Sequence, residues 1–153
     1  MANPGKFCMQ ATLVIFMITG CSEAWSEDGG SSHLLSCPES PNCVSTEAQD
    51  DRHKIDAFHL KGDFIKNWLE IQRVVSALPR SAVVKADATY LHATIKSRVL
   101  RFVDDLELFL NPSNGIISIR SAARTGYWDF GVNRHRIEQL RHALQTRDLI
   151  IHP

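Results

Sequence analysis

The feature that most restricts the fold of this chain is a change in the spacing of its apolar residues. Between residues 62 and 78, apolar side chains recur every three or four positions and a proline follows, which predicts an amphipathic helix. A short β-prone run at 81–85 comes next, and three further runs alternate apolar with polar side chains: 90–97, 102–110 and 116–122. A last helical pattern covers residues 131–145.

This order of elements, α-β-β-β-β-α, predicts one small α+β domain. An antiparallel sheet of three to four strands is expected to bury one face against the two helices and to expose the other. Trp68 lies on the apolar side of the first helix, so we expect it in the core.

The first twenty residues have the composition of a secretory signal. Lys6 carries the only side-chain charge, and the apolar run at 7–18 is shorter than the roughly 20 residues of a membrane span. The run leads into Ile18-Thr19-Gly20-Cys21, and an aliphatic residue, a small residue and glycine before a cysteine resemble the lipobox of bacterial lipoproteins. That resemblance implies cleavage before Cys21 and acylation of its thiol; an ordinary signal peptide that happens to contain a cysteine is the alternative.

More than one acyl chain gives stable membrane anchoring, so the membrane is an expected partner through the N-terminal lipid. The residue after Cys21 is Ser22 and not aspartate, a pattern that resembles that of lipoproteins exported to the outer membrane. We therefore expect the protein on the periplasmic side of the outer membrane. We therefore expect a signal peptide at 1–20, a lipidated flexible tether at 21–36 and the domain at 37–153. A tether of that length spans roughly 20 Å.

Charge excludes some classes of partner. The chain has 17 basic and 17 acidic side chains, and loss of Lys6 with the leader leaves a formal charge near −1. The sequence therefore shows no basic excess for nucleic acid, and no basic cluster along the chain indicates an electrostatic membrane patch.

Two cysteines remain once Cys8 leaves with the leader and Cys21 is acylated. Cys37 and Cys43 form an even pair in an oxidising compartment, which predicts a disulfide. Metal binding is the alternative, but two thiols without a second pair or a histidine make a poor zinc site. Their spacing is not the Cys-x-x-Cys of redox enzymes, and we expect no metal and no cofactor.

Three segments resemble the uncharacterised domain family numbered 1499. They are Cys37-Pro-x-Ser-Pro-Asn-Cys43-Val-Ser, the stretch from Tyr90-Leu-His-Ala to Arg101-Phe-Val-Asp-Asp105, and Arg120-Ser-Ala-Ala-Arg124-Thr-Gly-Tyr-Trp-Asp129-Phe-Gly-Val-Asn133-Arg134. The likeness covers nearly all of 37–145, and Ala123 departs from the serine usual in the family. It implies a small secreted or membrane-tethered domain and assigns no activity.

The densest polar stretch, residues 120–136, is the predicted binding surface for a small anionic ligand or an envelope partner. A helix N-terminus flanked by arginines can hold a carboxylate or phosphate, and exposed aromatic rings can cover the apolar part of a ligand. The alternative is a capped, salt-bridged loop, with Asp129 accepting from the backbone of the last helix. The predicted ligand-binding residues are Arg120, Arg124, Tyr127, Trp128, Asn133 and Arg134.

Two other functions stay open from the sequence. Asp50, Asp51 and His53 are the materials of acid–base chemistry, so an envelope hydrolase that combines them with the arginines is one alternative. The same group is also typical of a solvated turn, and no nucleophile motif accompanies it. A purely structural partner of an envelope complex is the other alternative.

Overall fold

The computed structural model describes residues 34–98 and 101–152. The predicted signal peptide, the acylation of Cys21 and the tether up to residue 33 lie outside the described residues and stay predictions.

The described residues form one α+β domain, which confirms the predicted fold class. Its sheet is antiparallel, has the order β1-β6-β5-β4-β3, and carries β2 as a second partner of β6. The helices are α1 (Phe64–Ser76) and α2 (Val132–Thr146), and the strands are β1 (Cys43–Ser45), β2 (Phe58–His59), β3 (Ser81–Ala86), β4 (Tyr90–Lys96), β5 (Val103–Asn111) and β6 (Ile116–Ala123).

The sheet has six strands within the described residues, whereas the sequence predicted three to four. The additional strands, β1 and β2, have three and two residues, too few to show an alternating pattern. Both pair with β6, β1 opposite its last residues and β2 opposite its first residues. Their extended conformation therefore depends on tertiary pairing.

One face of the sheet forms the core with the two helices. Leucine and isoleucine side chains on alternate positions of β4, β5 and β6 are buried, and Trp68, Ile71 and Val75 of α1 cover them. Burial of each such side chain contributes roughly 1.5–3 kcal/mol. Asp63 starts α1 by accepting from the backbone N–H of Lys66, which is why the helix begins at residue 64.

The predicted disulfide between Cys37 and Cys43 is present, with its Cα atoms 5.6 Å apart. It joins the start of the domain to β1, and Cys43 pairs with Ala122 near the end of β6. Among the described residues, neither helix has the length and apolar character needed to cross a membrane.

Several connections meet at one end of the domain, which we call the proximal end. Strand register places the end of β4 beside the start of β5, and the start of β5 beside the end of β6. The chain comes into β1 at the same end, and α2 starts there because it follows β6. The proximal end thus contains the segments 37–42, 79–80, 97–102 (its described residues) and 124–132.

Candidate functional site

The structure places two of the predicted arginines on the sheet face opposite the helices. Arg120 donates from Nη1 to Oε2 of Glu107 at 2.8 Å, and both side chains are nearly buried. Arg124 donates from Nε and Nη2 to the two carboxylate oxygens of Asp105, at 2.9 and 2.8 Å. Each arginine therefore has a carboxylate partner within the domain.

The same carboxylates also bind side chains of β4. The Tyr90 hydroxyl donates to Oε1 of Glu107 at 2.6 Å, and Nε2 of His92 lies 2.7 Å from Oδ1 of Asp105. Burial raises the pKa of Tyr90, and the hydrogen bond to Glu107 raises it further. Burial alone would raise the pKa of Asp105, but hydrogen bonds from Arg124 and His92 outweigh it and lower that pKa. This polar network uses the arginine charges to hold three strands together.

Asn133 and Arg134 contact other parts of the chain. The Asn133 side chain is buried, donates to the backbone oxygen of Asn42 at 3.0 Å and accepts from Ser121 Oγ at 2.6 Å. Arg134 donates from Nη2 to the backbone oxygen of Arg52 at 2.9 Å. These contacts attach the start of α2 to the segment before β1 and to the loop after it.

Asp129 caps α2, as the sequence suggested. One carboxylate oxygen accepts from the backbone N–H of Gly131 at 2.9 Å, and the other accepts from that of Asn133 at 2.9 Å. The predicted ligand-binding set is thus divided between the sheet face, the buried start of α2 and an exposed loop. Ligand binding by these six residues stays a prediction.

The exposed aromatic members of that set are Tyr127 and Trp128, whose rings contact edge to face at a centroid distance of 5.4 Å. The structure adds Phe102 and Phe130, which the sequence analysis did not select, and Phe130 is 94% exposed. A cleft of about 320 Å³, the aromatic cleft, lies at the proximal end, and the large apolar side chains that line it are Phe102, Trp128, Phe130 and Val132. Monomeric proteins rarely expose so many large apolar side chains in one place without a partner.

Phe130 has an unusual backbone conformation. Phe130 adopts a φ of 52° and Gly131 a φ of 76°, so two consecutive residues are left-handed. A left-handed phenylalanine is unfavourable and needs the surrounding structure to impose it. The cap at Asp129 fixes this turn, and as a result Phe130 projects into solvent.

A second cleft, the basic groove, adjoins the aromatic cleft. It has a volume of about 380 Å³ and shares Ser97, Arg98 and Val132 with its neighbour. Its lining contains no aspartate or glutamate among the described residues. The basic residues that line it are Arg80, Lys96, Arg98, His135 and Arg136.

The sequence shows no basic cluster along the chain, but the fold brings basic residues from separate segments to this groove. Arg80 follows α1, Lys96 and Arg98 lie at the end of β4, and Arg136 lies in α2. Because these segments are distant in sequence, only the fold brings their charges together. We call the aromatic cleft and the basic groove together the aromatic–basic surface.

Neighbouring acids do not neutralise most of this charge. Asp104 pairs with Arg136 at 2.5 Å, and Asp129 is occupied by the cap of α2. In the part of the chain that the structure describes, no carboxylate lies within ion-pair distance of Arg80, Lys96 or Arg98.

The group proposed for hydrolysis lines a separate cleft of about 650 Å³. Asp50, Asp51 and His53 meet there, whereas Arg120 and Arg124 do not line it. His53 Nδ1 lies 2.9 Å from Asp50 Oδ2, and His53 Nε2 lies 3.1 Å from the Ser40 carbonyl oxygen. Hydrogen bonding to His53 lowers the pKa of Asp50. Both ring nitrogens are occupied, so the imidazole holds this loop in place.

In residues 34–98 and 101–152, no three histidine, cysteine or acidic side chains lie together in a way that could hold a metal ion. In comparison with known proteins, the family described as "Protein of unknown function (DUF1499)" matches residues 33–144. No curated protein matches the chain.

Proposed function

The chain belongs to the DUF1499 family of proteins of unknown function, and we propose that it is a lipid-anchored binding module of the cell envelope. The aromatic–basic surface is its contact surface. One observation carries this proposal: a groove without acidic residues adjoins three exposed rings, those of Phe102, Trp128 and Phe130.

A binding function fits the polar network better than catalysis does. A general base needs a free proton-accepting atom near the substrate. The ring nitrogens of His53 contact Asp50 and the Ser40 carbonyl oxygen, and His92 shares Asp105 with Arg124. These groups stabilise the fold, which leaves the proximal end as the place for an external partner.

The ligand chemistry follows from the two clefts. Aromatic side chains favour an apolar group, and guanidinium groups favour phosphate or carboxylate oxygens. The two clefts share residues, so one ligand with an apolar part and an anionic part can occupy both. We therefore assign the small anionic ligand or envelope partner expected from the sequence to Arg80 and Arg98. Arg120 and Arg124 are paired with carboxylates and line neither cleft.

Acylation is tested by growing cells that produce the full chain with an alkyne-bearing fatty acid. We expect the label on the wild-type protein and its loss in Cys21→Ser, together with retention of the uncleaved leader. A labelled Cys21→Ser protein, or an unlabelled wild type that is cleaved normally, contradicts the anchor.

Binding is tested by titrating the full mature chain, without its acyl groups, with dodecyl phosphate below its micelle concentration. We expect amide NMR shifts at 97–98, 101–102 and 125–136, and weaker shifts with zwitterionic dodecylphosphocholine. Trp128→Ala/Phe130→Ala should abolish them. The matched control is Ile65→Ala/Leu69→Ala, which removes two exposed apolar side chains from α1 and should change nothing. Shifts that persist in the aromatic variant contradict the proposed surface.

A hydrolase is the second candidate, because the cleft of about 650 Å³ brings Asp50, Asp51 and His53 together. Turnover of p-nitrophenyl phosphate or p-nitrophenyl acetate that disappears in His53→Gln supports it. Equal background rates for the wild type and His53→Gln contradict it. A structural role in an envelope complex predicts neither turnover nor binding of dodecyl phosphate.

A further inference from the structure

We infer that the aromatic–basic surface docks on an anionic lipid bilayer, with the rings of Trp128 and Phe130 in the headgroup region. The bilayer is the one that holds the acyl chains of the protein, so the inference rests on the proposed function. It adds the identity of the partner and the orientation of the domain on the membrane.

The path of the chain is the first support. The Asn42 side chain donates to the backbone oxygen of Gly126, and Asn133 donates back to the backbone oxygen of Asn42. The Cys37–Cys43 disulfide fixes this segment against β1. The chain therefore comes into the domain beside the aromatic loop, residues 126–132. The tether predicted from the sequence, of roughly 20 Å from Cys21, would bring this end of the domain to the lipid.

The exposed rings are the second support. Trp and Tyr prefer the membrane interface because their rings are apolar while their N–H or O–H groups stay hydrated. Tyr127 and Trp128 are 59% and 66% exposed, and Phe130 is 94% exposed. A side chain exposed to that degree can enter a fluid phase without any rearrangement of the domain.

Charge is the third support. Arg80 and Arg98 have no acidic partner among the described side chains, and the groove that they line is continuous with the aromatic cleft. Arginine binds phosphate oxygens through paired N–H donors. Each basic residue near an anionic membrane raises the affinity about fivefold. The mature chain has a formal charge near −1, so attraction to an anionic membrane depends on the positive charge concentrated at this end.

Tethering makes weak docking sufficient. With the tether that the sequence predicts, the surface would stay at roughly millimolar effective concentration near the bilayer. Docking then becomes an intramolecular step, which a few aromatic and arginine contacts can drive.

The experiment uses the acylated mature protein in two kinds of vesicle, phosphatidylcholine alone and equal amounts of phosphatidylcholine and phosphatidylglycerol. Hydrogen–deuterium exchange is followed at 101–103 and 125–132. We expect slower exchange in both segments only with phosphatidylglycerol, and at least tenfold less slowing in Arg80→Gln/Arg98→Gln. The control Lys66→Gln/Arg147→Gln removes two exposed charges near the start of α1 and the end of α2, away from the proximal end, and should behave as wild type.

Phe130→Asp provides a second variant in case the arginine variant folds poorly, because Phe130 has almost no packing to lose. It should lose the slowing as well. Equal exchange in the two vesicles overturns the inference. If exchange is equal in the two vesicles but dodecyl phosphate still binds at the same residues, the proposed binding module stands and its ligand is a soluble anion or a protein. If dodecyl phosphate does not bind either, both the membrane docking and the proposed binding module fail.

Discussion

Phe130 allows a prediction in which stability and binding move in opposite directions. The residue is left-handed, with a φ of 52°, and is 94% exposed. A phenylalanine in this conformation lowers stability, and the proposed binding surface would give the ring a use. The perturbation is Phe130→Gly, which removes both the ring and the conformational strain.

The magnitude follows from three terms. The left-handed conformation costs a non-glycine residue roughly 1–2 kcal/mol, which glycine avoids. Glycine has greater freedom in the unfolded chain, which costs roughly 0.5–1 kcal/mol. The ring is 94% exposed, so the lost burial is about 6% of roughly 200 Å², or about 0.3 kcal/mol at 25 cal/mol per Å². The expected change is between zero and about 1 kcal/mol of added stability.

Urea unfolding of the mature chain measures this change, provided that the m-value is the same in both proteins. Phe58→Ala is the matched control: that ring is fully buried, and its loss should cost about 3–5 kcal/mol. Phe130→Gly should at the same time weaken binding to vesicles that contain phosphatidylglycerol. A loss of stability above about 2 kcal/mol in Phe130→Gly would refute the reasoning, because it would mean that the ring is packed.

Arg136→Met should destabilise the domain by roughly 3–5 kcal/mol in urea unfolding, because it leaves the carboxylate of Asp104 buried without its partner. Unchanged stability would mean that water already reaches that carboxylate. The pKa of Asp105 is lower in the folded state than in the unfolded state, so the ionised carboxylate stabilises the fold. This stabilisation is complete above the unfolded pKa of about 3.9 and is lost as the pH falls through the folded pKa. Asp105→Asn should therefore flatten the acid side of the stability profile, and an unchanged acid slope would contradict this. Cys37→Ser/Cys43→Ser should cost about 2 kcal/mol, given the short loop that the disulfide closes, and wild type in reducing agent should match it.

The fold was largely predictable because its signals are local. The apolar period of α1 and the alternation in β4, β5 and β6 each lie within one run of sequence, and the strands occur where the pattern places them. Ile65 shows the limit of this approach: it fits the helical spacing but is 59% exposed, since the apolar stripe is wider than the contact with the sheet. The short strands β1 and β2 depend on β6 and have no pattern of their own.

The candidate site was predictable only in part. Tyr127, Trp128 and the cap at Asp129 belong to one continuous segment, so their proximity could be inferred from the sequence. The basic groove combines Arg80 and Arg98 with α2, and no linear pattern shows that proximity. The acidic partners of Arg120 and Arg124 lie on β5, and only strand register brings them close. Phe130 was missed because a single phenylalanine before glycine is usually a buried residue.

The contact of Trp128 with lipid is the most direct test of the account. The acylated mature protein with Trp25→Phe keeps two tryptophans: Trp68, which is 1% exposed and serves as an internal reference, and Trp128 on the surface. Vesicles contain phosphatidylglycerol and a phosphatidylcholine brominated on its acyl chains near the headgroup. We predict that bromine quenches the Trp128 emission and leaves that of Trp68, with no quenching when phosphatidylglycerol is omitted. Trp128 emission that is the same with and without bromine, while acylation of Cys21 is intact, would contradict the account.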